Sequence, residues 1–187
     1  MKILMVDACP RKESRTRYLA ERLLEQLHGD VTRIVLAEEQ LPDLTEEAVV
    51  KRGEITLAGM ISDPLCSYAK QFADAECIVI AAPYWDLSFP AILKKYIEAV
   101  MVTGITFTYS EDGRPVGLCN AEKLYYVSTA GGPMFDTASG YGYIKTLANV
   151  MWGIPECRLL SAENLDIIGA DVEEILNRSC LEIEKLI

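Results

Sequence analysis

Three short segments of this 187-residue chain carry residue types that do chemistry rather than fill a core. The first is Cys9-Pro10-Arg11-Lys12-Glu13-Ser14-Arg15-Thr16, which combines a thiol, two hydroxyls and several cations. Arg11, Lys12, Arg15 and Arg17 fall within seven residues at the start of what reads as a helix. A helix dipole disfavours positive charge there, and an anion bound at the free N–H groups of the first turn would compensate. Taken alone, Ser14 reads equally as an ordinary N-cap and the cations as a solvated helix start. The second segment, Pro83-Tyr84-Trp85-Asp86-Leu87, sets two aromatics and an acid directly after an apolar run. The third, Ser128-Thr129-Ala130-Gly131-Gly132-Pro133, holds paired glycines, which let a backbone approach a ligand closely. Neither G-x-G-x-x-G nor the P-loop G-K-[ST] occurs in the first segment.

These segments matter because of the elements that precede them. Strand-like runs cover Lys2–Asp7, Val31–Leu36, Cys77–Ala82, Lys123–Thr129 and Cys157–Ala162. Helical periodicity covers Arg15–His28, Thr45–Gly59, Asp63–Ala75, Pro90–Thr103, Tyr141–Trp152 and Asp171–Leu186. Alternation of this kind predicts an α/β fold: a doubly wound five-stranded parallel sheet, helices on both faces, strand order 2-1-3-4-5. All three segments then leave the carboxyl ends of strands, where open α/β sheets bind ligands. Ile105–Tyr109 breaks the pattern with period-two alternation and leads into Glu111-Asp112-Gly113-Arg114, a hairpin turn that would serve as a cover or a surface flap.

Composition narrows the field. The length predicts one domain, residues 1–187. A formal charge of −10 argues against a nucleic-acid partner, and no apolar stretch is long enough to span a bilayer. The chain opens on a strand-like run, so no signal peptide is expected and the location is expected to be cytoplasmic. Six cysteines without C-x-x-C spacing or histidine partners read as reduced thiols, with no metal site. The single histidine, His28, reads as a favourable charge ending the first helix.

A phosphate at the first loop, with a planar ring against the second and third, describes flavin mononucleotide (FMN). Over nearly its whole length, and most sharply from Ile78 to Gly132, the chain resembles the flavodoxin-like FMN-dependent NAD(P)H oxidoreductases, which include NADH:quinone oxidoreductases, azoreductases and, more distantly, DT-diaphorase. The shared features are A-P-Y-W-D-L-S-F-P, L-K-K-Y, V-T-G-I-T-F-x-Y and S-T-A-G-G. The resemblance implies that Ser14 and Thr16, with Arg15 between them and Cys9 and Arg11 in the same loop, hold the flavin phosphate. It implies that Pro83, Tyr84, Trp85, Asp86 and Leu87 contact the isoalloxazine ring. Thr129, Ala130, Gly131 and Gly132 would donate to its pyrimidine end. Phe107, Tyr109 and Phe135 would shape the acceptor pocket. Hydride would pass from NADH or NADPH to flavin and then, in a second step, to a quinone, azo or similar small-molecule acceptor. The family is commonly homodimeric, and Ile92, Tyr96, Ile97 and Val100 form an apolar stripe that would serve either a partner or the chain's own sheet. Two departures stand out. Cys9 replaces a serine common in azoreductases, and Asp86 replaces an asparagine, placing a carboxylate where it would lower the flavin potential.

Two rival readings remain. Cys9-x5-Arg15-Thr16 matches the C-x5-R-[ST] loop of cysteine phosphatases, in which a thiolate attacks phosphorus and arginine clamps its oxygens. A flavodoxin-type electron carrier would suit the acidic charge, although its T-x-[ST]-G-x-[ST] phosphate loop is absent.

Overall fold

Ile3–Val6 is apolar at every position, so it is stable only in a strand covered on both faces. In the computed structural model, which describes residues 1–60 and 62–187, this run lies in β1 (Lys2–Asp7), where every residue but the first is buried. There follow α1 (Arg15–Leu24), β2 (Asp30–Val35), α2 (Glu46–Leu57), α3 (Ser67–Asp74), β3 (Cys77–Ala81) and α4 (Ala91–Val100). A two-stranded hairpin, β4 (Phe107–Tyr109) and β5 (Pro115–Gly117), precedes β6 (Lys123–Thr129). A helical stretch from Ala138 to Trp152 then has α5 (Tyr143–Leu147) between two π-turns, and β7 (Glu156–Ala162), α6 (Val172–Leu181) and α7 (Ile183–Leu186) complete the chain.

The main sheet runs β2-β1-β3-β6-β7, parallel throughout. With the hairpin set aside, this is the expected 2-1-3-4-5 order, and its switch point lies between β1 and β3. One face is covered by Phe72, Leu93, Ile144 and Trp152 from α3, α4 and the helical stretch. The other packs on Leu19 and Leu23 of α1 and on Ile183 of α7, with α6 alongside.

Several boundaries differ from the periodicity. The first helix stops at Leu24, where Gln26 N–H turns back to the Leu23 carbonyl; His28 therefore lies exposed in a loop rather than at a helix end. The fourth helix stops at Val100 because Thr106 Oγ1 donates to the Val100 carbonyl at 2.8 Å, taking a group that another turn would need. The α4 stripe faces inward: Tyr96, Ile97 and Val100 belong to the chain's own core, and Ile92 packs against it.

The hairpin has a position that alternation cannot reveal. It grips the carboxyl end of α4 through Thr106, and Gly117 lies against Gly153 just before β7. Asn120 N–H reaches the Ala73 carbonyl, just before β3. All three contacts lie at the amino-terminal edge of the sheet, opposite the three chemistry-bearing loops.

All six cysteines are free thiols. Burial pushes the Cys77 thiol up to about 11 and those of Cys9 and Cys157 up to about 12. An unfolded chain would ionise them near pH 8.5. Stability from keeping them neutral is thus complete below that pH and is lost as pH rises toward the folded values. At pH 10 the expected loss is about 2 kcal/mol per thiol. Urea midpoints at pH 8 and pH 10 under reductant should show it, and Cys157→Ala should flatten the pH dependence.

Candidate functional site

At the carboxyl edge of β1, β3 and β6 lies an open cleft of about 1210 Å³, lined by Cys9–Tyr18, Pro83–Trp85, Thr129–Gly131 and Leu165–Asp166, among others. It is larger than a single ring system needs. Of the residues the sequence places at a cofactor, Cys9, Arg11, Ser14, Arg15, Thr16, Pro83, Tyr84, Trp85, Thr129, Ala130 and Gly131 line it. Asp86 and Leu87 form the tip of the turn beyond Trp85, and Gly132 follows Gly131. Phe135 does not line the cleft; it is exposed on the loop after β6, which is tied back by the Tyr84 hydroxyl, donating to the Asp136 carbonyl at 2.8 Å. Phe107 and Tyr109 do not reach the cleft of their own chain, because their hairpin stands at the other edge of the sheet. Phe107 is buried there with Tyr109 edge-on at 5.5 Å.

The first loop leaves β1 and enters α1. Ser14 caps the helix, its Oγ accepting from Arg17 N–H at 3.2 Å. Among the described residues, the backbone N–H groups of Arg11, Lys12, Glu13, Ser14, Arg15 and Thr16 have no acceptor. A helix start always strands such donors; here the loop before it adds more, so the series is continuous. Thr16 Oγ1 lies 2.6 Å from Thr129 Oγ1, tying the first loop to the third.

The second loop is a tight turn. Trp85 and Ser88 exchange backbone hydrogen bonds of 3.1 and 2.8 Å, and both central residues are left-handed, Asp86 at φ 50° and Leu87 at φ 63°. A leucine there is strained by about 1–2 kcal/mol, and such strain collects where a backbone must present itself in one way. The N–H groups of Asp86 and Leu87 have no acceptor among the described residues, nor do those of Gly131 and Gly132. Leu87→Gly should therefore raise apoprotein stability by about 0.5–1 kcal/mol after the entropy cost of glycine. It should also weaken ligand binding several-fold as the turn loses pre-organisation. Urea denaturation and an FMN titration of one preparation would check both signs.

Arg15 is occupied elsewhere. Its Nη1 donates to the Leu165 carbonyl at 3.1 Å and pairs with Asp166 at 2.7 Å, on a fourth loop that follows β7. Nothing in the sequence motifs marks that loop. Arg17, which the sequence shows only as part of a charge cluster, pairs with Asp7. Asp7 is 2% exposed at the end of β1; an acid closing an apolar strand was the available signal.

The cysteine-phosphatase reading fails on this geometry. Cys9 is buried with its thiol directed at the Ala81 carbonyl, 3.6 Å away, and burial pushes its pKa to about 12. A nucleophilic thiolate needs the opposite shift, and Arg15 is committed to Asp166.

The donors present fit FMN: a run of N–H groups for a phosphate, then N–H groups and aromatic walls for a planar ring, along one edge of the sheet. Comparison with known proteins agrees with that fit. A family model described as a flavodoxin-like fold, Flavodoxin_2, matches residues 1–187. FMN-dependent NADH:quinone oxidoreductase 2 of Clostridium acetobutylicum is 38% identical, covering 94% of this chain and 92% of its own length. FMN-dependent NADH:quinone oxidoreductase of Coprothermobacter proteolyticus is 34% identical over 99% of this chain and 97% of its own. Among solved structures, the FMN-dependent NADH-azoreductase from Bacillus anthracis in complex with FMN is 22% identical with a TM-score of 0.81, covering 98% of this chain and 96% of its own. At that identity it bears on the fold alone. Matched along its whole length by the family model and over more than nine-tenths of it by both relatives, the chain belongs to the flavodoxin-like Flavodoxin_2 family.

Proposed function

We propose that the protein is an FMN-dependent NADH oxidoreductase that reduces quinones or azo compounds in two steps. The observation that carries this is the alignment, along one sheet edge, of the N–H groups from Arg11 to Thr16 with those of Asp86, Leu87, Gly131 and Gly132, none of which has an acceptor among the described residues. FMN, when bound, supplies the hydride relay between a nicotinamide and a second substrate.

The chain's own residues bind and orient. The N–H groups from Arg11 to Thr16 hold the phosphate at the helix start, and Arg11 and Lys12, exposed at the cleft lip, add positive charge. The Thr16–Thr129 bond fixes the distance between the phosphate loop and the Gly131-Gly132 turn. With FMN bound, the N–H groups of that turn would stabilise negative charge on the flavin, in the manner of an oxyanion hole. Tyr84 and Trp85, which line the cleft, would wall the ring, and Asp86 would bring a carboxylate to the same loop. The electron-carrier reading is less well supported, because both close relatives carry oxidoreductase names.

We extend this reading to a homodimer in the cytoplasm. Apolar side chains exposed on the loops that follow β3, β6 and β7 support a partner: Trp85, Leu87, Phe135 and Ile168. Six free thiols suit a reducing compartment. Among the described residues, no helix is long and apolar enough to cross a membrane.

Steady-state kinetics with NADH and a soluble quinone test the two-step order. Parallel double-reciprocal lines are expected, because the donor leaves before the acceptor binds. Intersecting lines would show that both substrates bind together and would overturn the two-step order.

A further inference from the structure

The guanidinium of Arg17 is enclosed by the first loop. Its Nε pairs with Asp7 Oδ2. Nη2 donates to the Cys9 carbonyl at 3.0 Å, while Nη1 donates to the carbonyls of Arg11 at 3.0 Å and Lys12 at 2.6 Å. Asp7 Oδ1 in turn accepts Cys9 N–H at 2.8 Å. One side chain, anchored on a buried carboxylate, thus holds three loop carbonyls.

We propose that Arg17, pinned by Asp7, is the positioning residue of the phosphate loop: by drawing the Arg11 and Lys12 carbonyls inward, with that of Cys9 as an anchor, it turns the N–H groups of Lys12 and Glu13 outward, toward the anion. The proposal rests on the reading of this loop as a phosphate site. Its reason is stereochemical. In a planar trans peptide the carbonyl of one residue and the N–H of the next point in opposite directions. Capture of the Arg11 and Lys12 carbonyls therefore aims the N–H groups of Lys12 and Glu13 away from Arg17. The Cys9 carbonyl is followed by Pro10, which has no N–H, so its capture anchors the start of the loop and leaves no misdirected donor.

The pair also settles an electrostatic conflict. Asp7 is a buried carboxylate close beneath a loop meant for an anion. Arg17 neutralises it, and Asp7 in return fixes the guanidinium. Lysine would keep the charge, but a single ammonium cannot reproduce a planar fork that spans a carboxylate and three carbonyls. Arg17→Lys therefore separates orientation from charge.

The test measures the affinity of apoprotein for FMN and for riboflavin, which lacks the phosphate, in wild type, Arg17→Lys and Asp7→Asn. Inorganic phosphate serves as competitor, and melting temperature as the folding control. In Arg17→Lys, FMN affinity should fall about ten- to a hundredfold, the range of charged hydrogen bonds, with riboflavin affinity within about twofold. Asp7→Asn, which keeps the shape of the anchor, should move the FMN-to-riboflavin ratio in the same direction by less. Should Arg17→Lys fail to fold, Asp7→Asn carries the test alone. Equal losses of FMN and riboflavin affinity, or no loss of either, would overturn the positioning role. If wild-type protein binds riboflavin as tightly as FMN and phosphate does not compete, the phosphate-site reading falls instead.

Discussion

Gly117→Ala is expected to destabilise the protein by about 3 kcal/mol or more, the upper range for overpacking and a value that only named mechanisms reach. A Cβ at this position would lie 2.0 Å from the Gly153 nitrogen, 2.2 Å from the Trp152 carbonyl carbon and 2.4 Å from Gly153 Cα. All three are backbone atoms, so no rotamer change relieves the clash. Neither partner is free to retreat. Gly153 has φ 73° and closes the helical stretch in a left-handed cap, and Trp152 beside it is fully buried against Phe72, ring centroids 4.7 Å apart. On the other side, Leu118 N–H is bound to the Thr106 carbonyl and Cys119 N–H to that of Trp152. The substitution must therefore peel the hairpin from the amino edge of the sheet or disturb the large core. Urea denaturation would register a lower midpoint at an unchanged slope; an unaltered midpoint would mean that the close approach of the two glycines carries no weight.

Gly131→Ala is expected to cost little stability and much cofactor binding. Its Cβ would fall 2.3 Å from Asp166 Oδ2 and 3.0 Å from Asp166 Cγ. The Asp166 backbone is held by a 2.8 Å bond from its N–H to the Gly131 carbonyl, so the side chain must swing away from Arg15. That ion pair is largely exposed, and its loss costs about 1 kcal/mol or less. The displaced carboxylate stays in the cleft with a freed guanidinium, and the Gly131-Gly132 turn shifts. FMN affinity should fall about ten- to a hundredfold, or about 1.4 to 2.8 kcal/mol. Replacing Asp166 with glycine as well removes the obstructing side chain, so Gly131→Ala should cost much less in that background. A double-mutant cycle on FMN affinity measures this coupling, and additive losses would show that Asp166 is not what Gly131 makes room for.

The strands were legible because parallel strands buried on both faces are continuous apolar runs. Ile3–Val6 and Cys77–Ala81 allow little else, and β6 matches its expected range residue for residue. The three loops that line the cleft were legible because glycine pairs, adjacent aromatics and helix-start hydroxyls have local reasons to stand at strand ends. What could not be read depends on distance in the fold. Asp7 and Arg17 are ten residues apart, and nothing local says that one guanidinium will gather the loop between them. Arg15 looks like a phosphate ligand until β7 brings Asp166 alongside it. Phe107 and Tyr109 alternate as a strand should, but alternation does not say at which edge of the sheet a hairpin lies. The α4 stripe had two destinations in sequence, and the packing of Tyr96, Ile97 and Val100 chose the chain's own core.

Reduction of bound FMN by NADH and its reoxidation by a quinone can be read from the visible spectrum of the purified protein supplied with FMN, recorded without oxygen before and after NADH and again after the quinone. Flavin absorbance is expected to stay with the protein through gel filtration, to bleach on NADH and to return on quinone, as an FMN-dependent NADH oxidoreductase requires. A protein that takes up no FMN, or whose bound FMN is bleached by dithionite but not by NADH, would contradict the proposed function.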